Sequence, residues 1–328
     1  MNKVLVTARA FGRFSREPYN IIEKFGGVVV PNPWAGQKLA EAQLLTLVGD
    51  IDALICGEDE VTAKVIDAAG QLKVISKFGV GVDKIDVAAA TVRGIAVCNT
   101  PGANSESVAD MAFCLLLGAA RQLPRTDADV RKGLWQSIIG CELYQKTIGI
   151  VGLGKVGKAV ARRAKGFSMR VLGFDAYPDA KWAASEGVSL VPVDTLLREA
   201  DFVSLHLPSL PTTRGFIGDK ELAIMKTTAY LINTARGDII DEEALYAALR
   251  DGKLAGAGLD VFAQEPPSRS SPLLGLPNVV LAPHISAHTV EAINNMGVMS
   301  AQNAVDFLGG LRTEFVINAK GFGKGENL

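Results

Sequence analysis

The strongest chemical signal in the chain is the run Val151-Gly152-Leu153-Gly154-Lys155-Val156-Gly157. This G-x-G-x-x-G directly follows an apolar stretch, 148–151, and opens a helical pattern that continues through Gly166. The first glycine permits a tight turn and the second lets a pyrophosphate approach backbone N–H groups at a helix N-terminus. The third allows close helix–strand packing. About twenty residues on, the next apolar run ends in Phe174-Asp175, where a carboxylate can accept from the ribose hydroxyls of NAD and would repel a 2′-phosphate. Glycines also collect in ordinary strand-to-helix turns and aspartate is a common cap, but neither explains this spacing.

Three further polar residues stand just beyond apolar runs, at the edge where open α/β sheets bind ligands: Arg236, Asp260 and His284. Arg236, in Asn233-Thr234-Ala235-Arg236-Gly237, offers a planar fork suited to a carboxylate. His284, in Ala282-Pro283-His284-Ile285, is one of three histidines and suits proton transfer to a carbonyl oxygen near neutral pH. Glu265, in Gln264-Glu265-Pro266-Pro267, could pair with it and raise its pKa. Taken singly, each is more often structural than catalytic. His206, in Leu205-His206-Leu207-Pro208, either borders a cofactor cleft or packs. His284 and His288 form H-x-x-x-H, a zinc pair on a helix, but Pro283 disfavours helix there and no third ligand is near in sequence.

The elements that must hold these groups alternate. Runs 3–8, 27–31, 53–56, 74–78 and 95–98 read as buried parallel strands, separated by helices at 17–25, 39–48, 62–69 and 87–93. After Thr100-Pro101-Gly102 a longer helix is expected over 105–121, with Ser105 and Glu106 as candidate caps. Its stripe of Val108, Met111, Ala112, Leu115 and Leu116 is wide enough for an interface or a domain connector. A second series starts at Thr147 with six expected strands, 148–151, 170–174, 202–207, 230–233, 257–261 and 279–282, which suggests a doubly wound sheet. A last amphipathic helix, 290–308, could belong to either domain, and 321–328 reads as a frayed tail.

Composition narrows the function classes. A chain of 328 residues should split into two domains. Its 34 basic and 35 acidic residues supply no field for gripping nucleic acid or an anionic membrane. The longest apolar stretch, near Met111–Ala120, is about ten residues against the roughly twenty that span a bilayer. With no secretory h-region, a cytoplasmic protein is expected. Cys56, Cys98, Cys114 and Cys141 are far apart without C-x-x-C, so they read as small core residues in a reducing compartment.

Taken together, the motifs resemble the D-isomer-specific 2-hydroxyacid dehydrogenase family, most closely its phosphoglycerate dehydrogenase branch. The similarity is carried by Lys77-Phe78-Gly79-Val80-Gly81-Val82-Asp83, Asn99-Thr100-Pro101 with Asn104, the Gly152–Gly157 loop, Asn233–Gly237, Gly258-Leu259-Asp260-Val261-Phe262 with Glu265-Pro266, and Pro283-His284-Ile285. The resemblance implies an α/β fold of two doubly wound parallel-sheet domains. One is a flavodoxin-like substrate domain made of 1–100 and 288–328, the other a Rossmann NAD-binding domain at 101–287. It further implies that Arg236 binds the carboxylate and keto oxygen of a 2-keto acid, that His284 is the general acid/base and that Glu265 tunes it. Val80 and Gly81 would offer backbone N–H groups to the carboxylate, with Lys77 and Asn104 also on the substrate and Asp260 on the nicotinamide side. Cofactor contacts are expected from Val80, from Gly152, Gly154, Lys155, Val156 and Gly157, and from Asp175. Others are expected from His206, Leu207, Pro208 and Thr213, from Thr234, Ala235 and Arg236, and from Asp260, His284 and Ala287. Such proteins usually dimerise through their nucleotide-binding domains.

Departures bear on the substrate. Phosphoglycerate dehydrogenases resemble one another in an arginine after the third strand and another in the glycine loop, whereas this chain has Gly57-Glu58-Asp59-Glu60 and Lys77. A phosphorylated substrate is therefore not expected unless Arg9, Arg13 or Arg16 supplies the missing charge. Ser286 and His288 stand where the family often has small residues, so His288 is a candidate substrate contact. No further βαββαβ pattern follows, so feedback control by serine is not expected. Two other classes fit less well: a dinucleotide-sensing protein similar to the C-terminal binding protein corepressors, and another Rossmann enzyme such as a methyltransferase.

Overall fold

Short β-branched runs separated by helices can pair side by side only through crossovers. In the computed structural model, which describes residues 1–311 and 313–319, every ladder between strands is parallel. The expected tail at 321–328 lies outside the described residues. The chain divides into two compact units, Met1–Asn104 with the segment from His288 onward, and Ser105–Ala287.

The first unit holds β1 (Lys3–Val6), β2 (Val28–Val30), β3 (Ala53–Cys56), β4 (Val74–Lys77) and β5 (Ala96–Cys98), ordered β2-β1-β3-β4-β5 as in flavodoxin-like sheets. The helix Val290–Leu308, which the sequence pattern left unassigned, packs in this unit. The carbonyl of Ser300 accepts from the Ser76 hydroxyl at 2.8 Å, the Asn303 amide donates to Asn99 O at 2.9 Å, and Ala301, Ala304 and Val305 are buried. A Cβ on Gly297 would stand 2.9 Å from Pro18 Cγ, so glycine there lets the helix Glu17–Lys24 cross closely.

The second unit holds β6 (Thr147–Val151), β7 (Arg170–Phe174), β8 (Val188–Leu190), β9 (Phe202–Leu205), β10 (Tyr230–Asn233), β11 (Gly256–Leu259) and β12 (Val279–Leu281). Their order, β12-β11-β10-β9-β6-β7-β8, reverses direction between β6 and β9, the switch point of a Rossmann sheet. The sheet has seven strands rather than the expected six. β8 escapes notice because only Val188 of its three residues is buried, leaving no apolar run to read. The helix Leu123–Arg131 was also not expected, and it buries no residue at all, so it carries no amphipathic signal. Of the stripe on the helix Ser105–Ala120, Val108, Ala112, Leu115 and Leu116 are buried and Met111 partly so, and a Cβ on Gly258 of β11 would lie 2.8 Å from Leu115 Cβ. Cys56 and Cys98 are core residues as expected, but Cys114 is exposed on the helix Ser105–Ala120, and Cys141, outside any helix or strand, is only partly buried against the core. Among the described residues no helix is long and apolar enough to cross a membrane.

Candidate functional site

At the end of β6 the glycine loop is built as its spacing requires. Gly152 has φ +96°, and a Cβ on it would press to 2.7 Å from His206 O. A Cβ on Gly157 would lie 2.0 Å from Gly152 O, so the helix Lys155–Gly166 can pack this close only with glycine there. Nothing lies within 4 Å of a Cβ built on Gly154, the helix N-cap, which leaves room for an anion above the first N–H groups. The Asp175 carboxylate is fixed against this loop, accepting from Leu153 N–H at 2.7 Å and Tyr177 N–H at 2.8 Å.

Beyond β9, His206 Nε2 meets the Ser204 hydroxyl at 2.9 Å while its Nδ1 is buried without a partner. Burial pushes this imidazole down to about 3, so it stays neutral at physiological pH. The Thr213 hydroxyl folds the following loop by donating to Pro208 O at 2.6 Å and accepting from Leu210 N–H at 2.8 Å, while Leu207 packs on the core. Three buried side-chain polar atoms lack a partner among the described residues, His206 Nδ1, Thr234 Oγ1 and Asp238 Oδ1, and all lie just past the C-terminal ends of β9 and β10. Buried polar groups are nearly always satisfied, so His206 Nδ1 and Thr234 Oγ1 leave this edge with bonds to offer a polar ligand.

Beyond β10, the Asn233 side chain donates to Arg236 O at 2.8 Å and accepts from Ala235 N–H at 3.0 Å, fixing the turn that presents Arg236. The motif alone gives Asn233 no role, although an asparagine closing a strand before a turn is the sequence signal for one. Gly237 is indispensable, since a Cβ would fall 1.8 Å from the carbonyl carbon of Phe262. Beyond β11, Asp260 is fully buried and accepts from Ile285 N–H at 2.8 Å, Ser286 N–H at 2.9 Å and the Ser286 hydroxyl. These bonds brace the turn in which His284 sits at φ +54°, with its N–H donating to Asp260 O at 2.8 Å, just ahead of Ala287.

His284 Nδ1 lies 2.7 Å from Glu265 Oε2, and Glu265 Oε1 accepts from Phe262 N–H at 3.1 Å. A carboxylate can only accept, so Nδ1 carries the proton and Nε2 is the nitrogen that titrates. The Glu265 hydrogen bond holds His284 above the ordinary histidine range against the opposing pull of burial, aided by the charges of Glu265 and Asp260. Burial pushes Glu265 up, but the hydrogen bond and charge of His284, the Phe262 N–H and the charge of Arg236 outweigh it, and the carboxyl lies low. Arg236, Glu265, Asp260 and His284 thus come together within one unit.

The first unit carries the other expected substrate residues. Lys77 is buried and donates to Gly57 O. Gly79, at φ +138°, is pinned by the Thr100 hydroxyl at 3.1 Å, and the Asn99 amide holds Val80 O at 2.8 Å, which orders the loop through Gly81. Asn104 is the last residue of this stretch. Arg9 pairs with Glu58 at 3.1 Å, Arg16 with Glu23 at 2.9 Å, and Arg13 lies over the Phe14 ring. His288 is exposed and belongs to this unit rather than to that of His284. No metal-binding group of three His, Cys, Asp or Glu side chains occurs among the described residues.

Residues 113–286 match the family model of the NAD binding domain of D-isomer specific 2-hydroxyacid dehydrogenases. The chain belongs to that family. This dehydrogenase is 46% identical over 271 residues to a glyoxylate reductase of Korarchaeum cryptofilum, covering 80% of this chain and 82% of the relative. It is 43% identical over 322 residues to a D-3-phosphoglycerate dehydrogenase of Methanocaldococcus jannaschii, covering 97% of this chain but only 60% of that relative. The crystal structure of the TT0316 protein from Thermus thermophilus superposes with a TM-score of 0.87 at 38% identity, over 96% of this chain and 99% of that one. Membership makes the chain an oxidoreductase of hydroxy and keto acids with NAD as its cofactor, and the open cradle over Gly154 beside Asp175 fits that cofactor.

Proposed function

We propose that this dehydrogenase interconverts an unphosphorylated D-2-hydroxy acid and its 2-keto acid, with His284 as general acid/base and Arg236 holding the carboxylate. The observation that carries this reading is the Glu265–His284 pair at 2.7 Å, in a turn braced by the buried Asp260. When bound, NAD(H) supplies or takes up the hydride at C2. The Gly152–Gly157 loop and the helix N-terminus hold its pyrophosphate, and Asp175 holds its adenosine ribose. The orphaned His206 Nδ1 and Thr234 Oγ1 gain their missing partners from the bound molecule. Arg236 grips the carboxylate and keto oxygen, and His284 Nε2 gives its proton to that oxygen during reduction and recovers it during oxidation. The resemblance makes Val80 and Gly81 of the first unit the candidates for backbone N–H groups to the carboxylate, with Lys77 and Asn104 as further candidates from that unit. Leu123, Val130, Trp135 and Ile139, all well exposed in the second unit, are the apolar surface a homodimer would cover.

Proteins of the corepressor-like alternative share the family's catalytic residues, so the Glu265–His284 pair is compatible with both readings and turnover is what separates them. The deciding experiment measures NADH consumption with glyoxylate, pyruvate, hydroxypyruvate and phosphorylated keto acids. Turnover with the unphosphorylated acids is expected. NADH binding without turnover on any of them would overturn the enzyme reading in favour of the sensor.

A further inference from the structure

The turn that presents Arg236 is held by contacts that the proton and carboxylate chemistry does not use. Asp238, two residues on, lies in the 3-10 turn Gly237–Ile239. Its Oδ2 accepts from the Ser209 hydroxyl at 2.5 Å and lies 3.2 Å from the Arg214 guanidinium. Both partners belong to the loop that leaves β9 and contains Thr213. The backbone repeats the attachment, with Gly215 N–H donating to Asp238 O at 2.8 Å and Ile217 N–H to Ile239 O at 3.0 Å. On the other side of the same turn, Gly237 lies against the Phe262 backbone, and Glu242 accepts from Ala263 N–H at 2.7 Å. The segment from Arg236 to Glu242 therefore joins the loop after β9 to the stretch that bears Glu265.

Within this joint Asp238 is the exposed cost. Its Oδ1 is buried without a partner. A charged oxygen in that state is retained only where the group is held for another reason. We propose that Asp238 is a positioning residue, whose carboxylate clasps the loop 207–215 to the Arg236 turn and so fixes the guanidinium relative to the residues that border the cofactor. The proposal rests on the oxidoreductase reading above. A planar fork binds a carboxylate bidentately only at the right orientation, and misplacement by about 1 Å can cost on the order of a hundredfold in rate.

The test uses Asp238→Ala, Ser209→Ala and the double variant in the full chain. KM for the keto acid is expected to rise about tenfold in Asp238→Ala. NADH affinity, measured by calorimetry without substrate, should weaken, while the pH profile of kcat/KM keeps its position because His284 and Glu265 are held by other bonds. Ser209→Ala should move both quantities the same way by less. The double variant should cost no more than Asp238→Ala alone, since both residues act through one hydrogen bond. KM and NADH affinity within twofold of wild type, additive losses, or a pH profile that shifts would each overturn the clasp. Should Asp238→Ala fail to fold, Ser209→Ala and Arg214→Gln decide by the same two readouts. An inactive wild type would instead sink the enzyme reading, with NADH affinity in the variants still reporting on the clasp.

Discussion

The C-terminal edges of the two parallel sheets carry similar inventories of charge and end in opposite states. In the first unit Asp59 is buried and accepts from the Thr7 hydroxyl at 2.6 Å and Leu39 N–H at 2.7 Å. Lys77 spends its ammonium on Gly57 O, and Arg9 is matched by Glu58. In the second unit the edge carries the three orphaned polar atoms, and its one tuned histidine stays about two-fifths exposed. An edge whose charged side chains are satisfied internally has its backbone, not those side chains, left to offer a ligand. An edge that leaves polar groups unpaired, with a proton donor facing water, is built for a partner that arrives later.

The largest break in this contrast comes from His284→Gln. General acid–base groups typically contribute ~10²- to 10⁴-fold, so turnover should fall into that range while NADH binding persists. A loss below about tenfold would mean that the unsatisfied edge is not where the proton moves. Next in size is Asp175→Ala. In the proposed role its carboxylate would face the 2′ position, where like charge typically costs several kcal/mol. Wild type should prefer NADH strongly, and the variant should raise the NADPH to NADH ratio of kcat/KM by about tenfold or more. Equal use of both cofactors by wild type would refute the role.

Glu265→Gln sharpens the contrast through pH. In the proposed role reduction needs a protonated His284, so kcat/KM for the keto acid should hold at low pH and fall as pH rises through the histidine's pKa, which lies above its ordinary value near 6.5. The Glu265 hydrogen bond is the largest contribution raising it, so the variant's descending limb should move to lower pH. In the oxidation direction a neutral ring is needed, and the ascending limb should move down with it. His206, already neutral, should contribute no limb, and His206→Asn should leave the profile in place.

Most of this frame is legible in the sequence because buried parallel strands write themselves as apolar runs. Ala53–Cys56, Arg170–Phe174 and Tyr230–Asn233 have the bounds that their residues alone suggest. β8 is not legible, since a half-exposed three-residue strand has no run, and the helix Leu123–Arg131 buries nothing that a pattern could register. The site divides in the same way. Glycine spacing and strand-end polar residues point to the loop and to Arg236, Asp260 and His284. The braces were not readable, because Asp260 meeting Ile285 and Ser286, or Asp238 meeting Ser209, joins residues more than two dozen apart through turns that only the folded chain sets.

The smallest expected effect tests the satisfied edge. Glu58 and Arg9 pair at 3.1 Å with both side chains about half exposed, and such a pair is worth roughly 0–1 kcal/mol, or up to about fivefold. With Arg9 engaged and Lys77 turned to Gly57 O, neither cation is uncommitted to receive a phosphate dianion, and Glu58 would repel one. Wild type should therefore favour hydroxypyruvate over its phosphorylated counterpart. Glu58→Gln releases Arg9 and removes one negative charge, so the gap should narrow by no more than about fivefold and widen again as salt screens the released guanidinium. A wild type that prefers the phosphorylated acid, and loses that preference in Arg9→Ala, would show that the charged side chains of the first edge read the substrate after all.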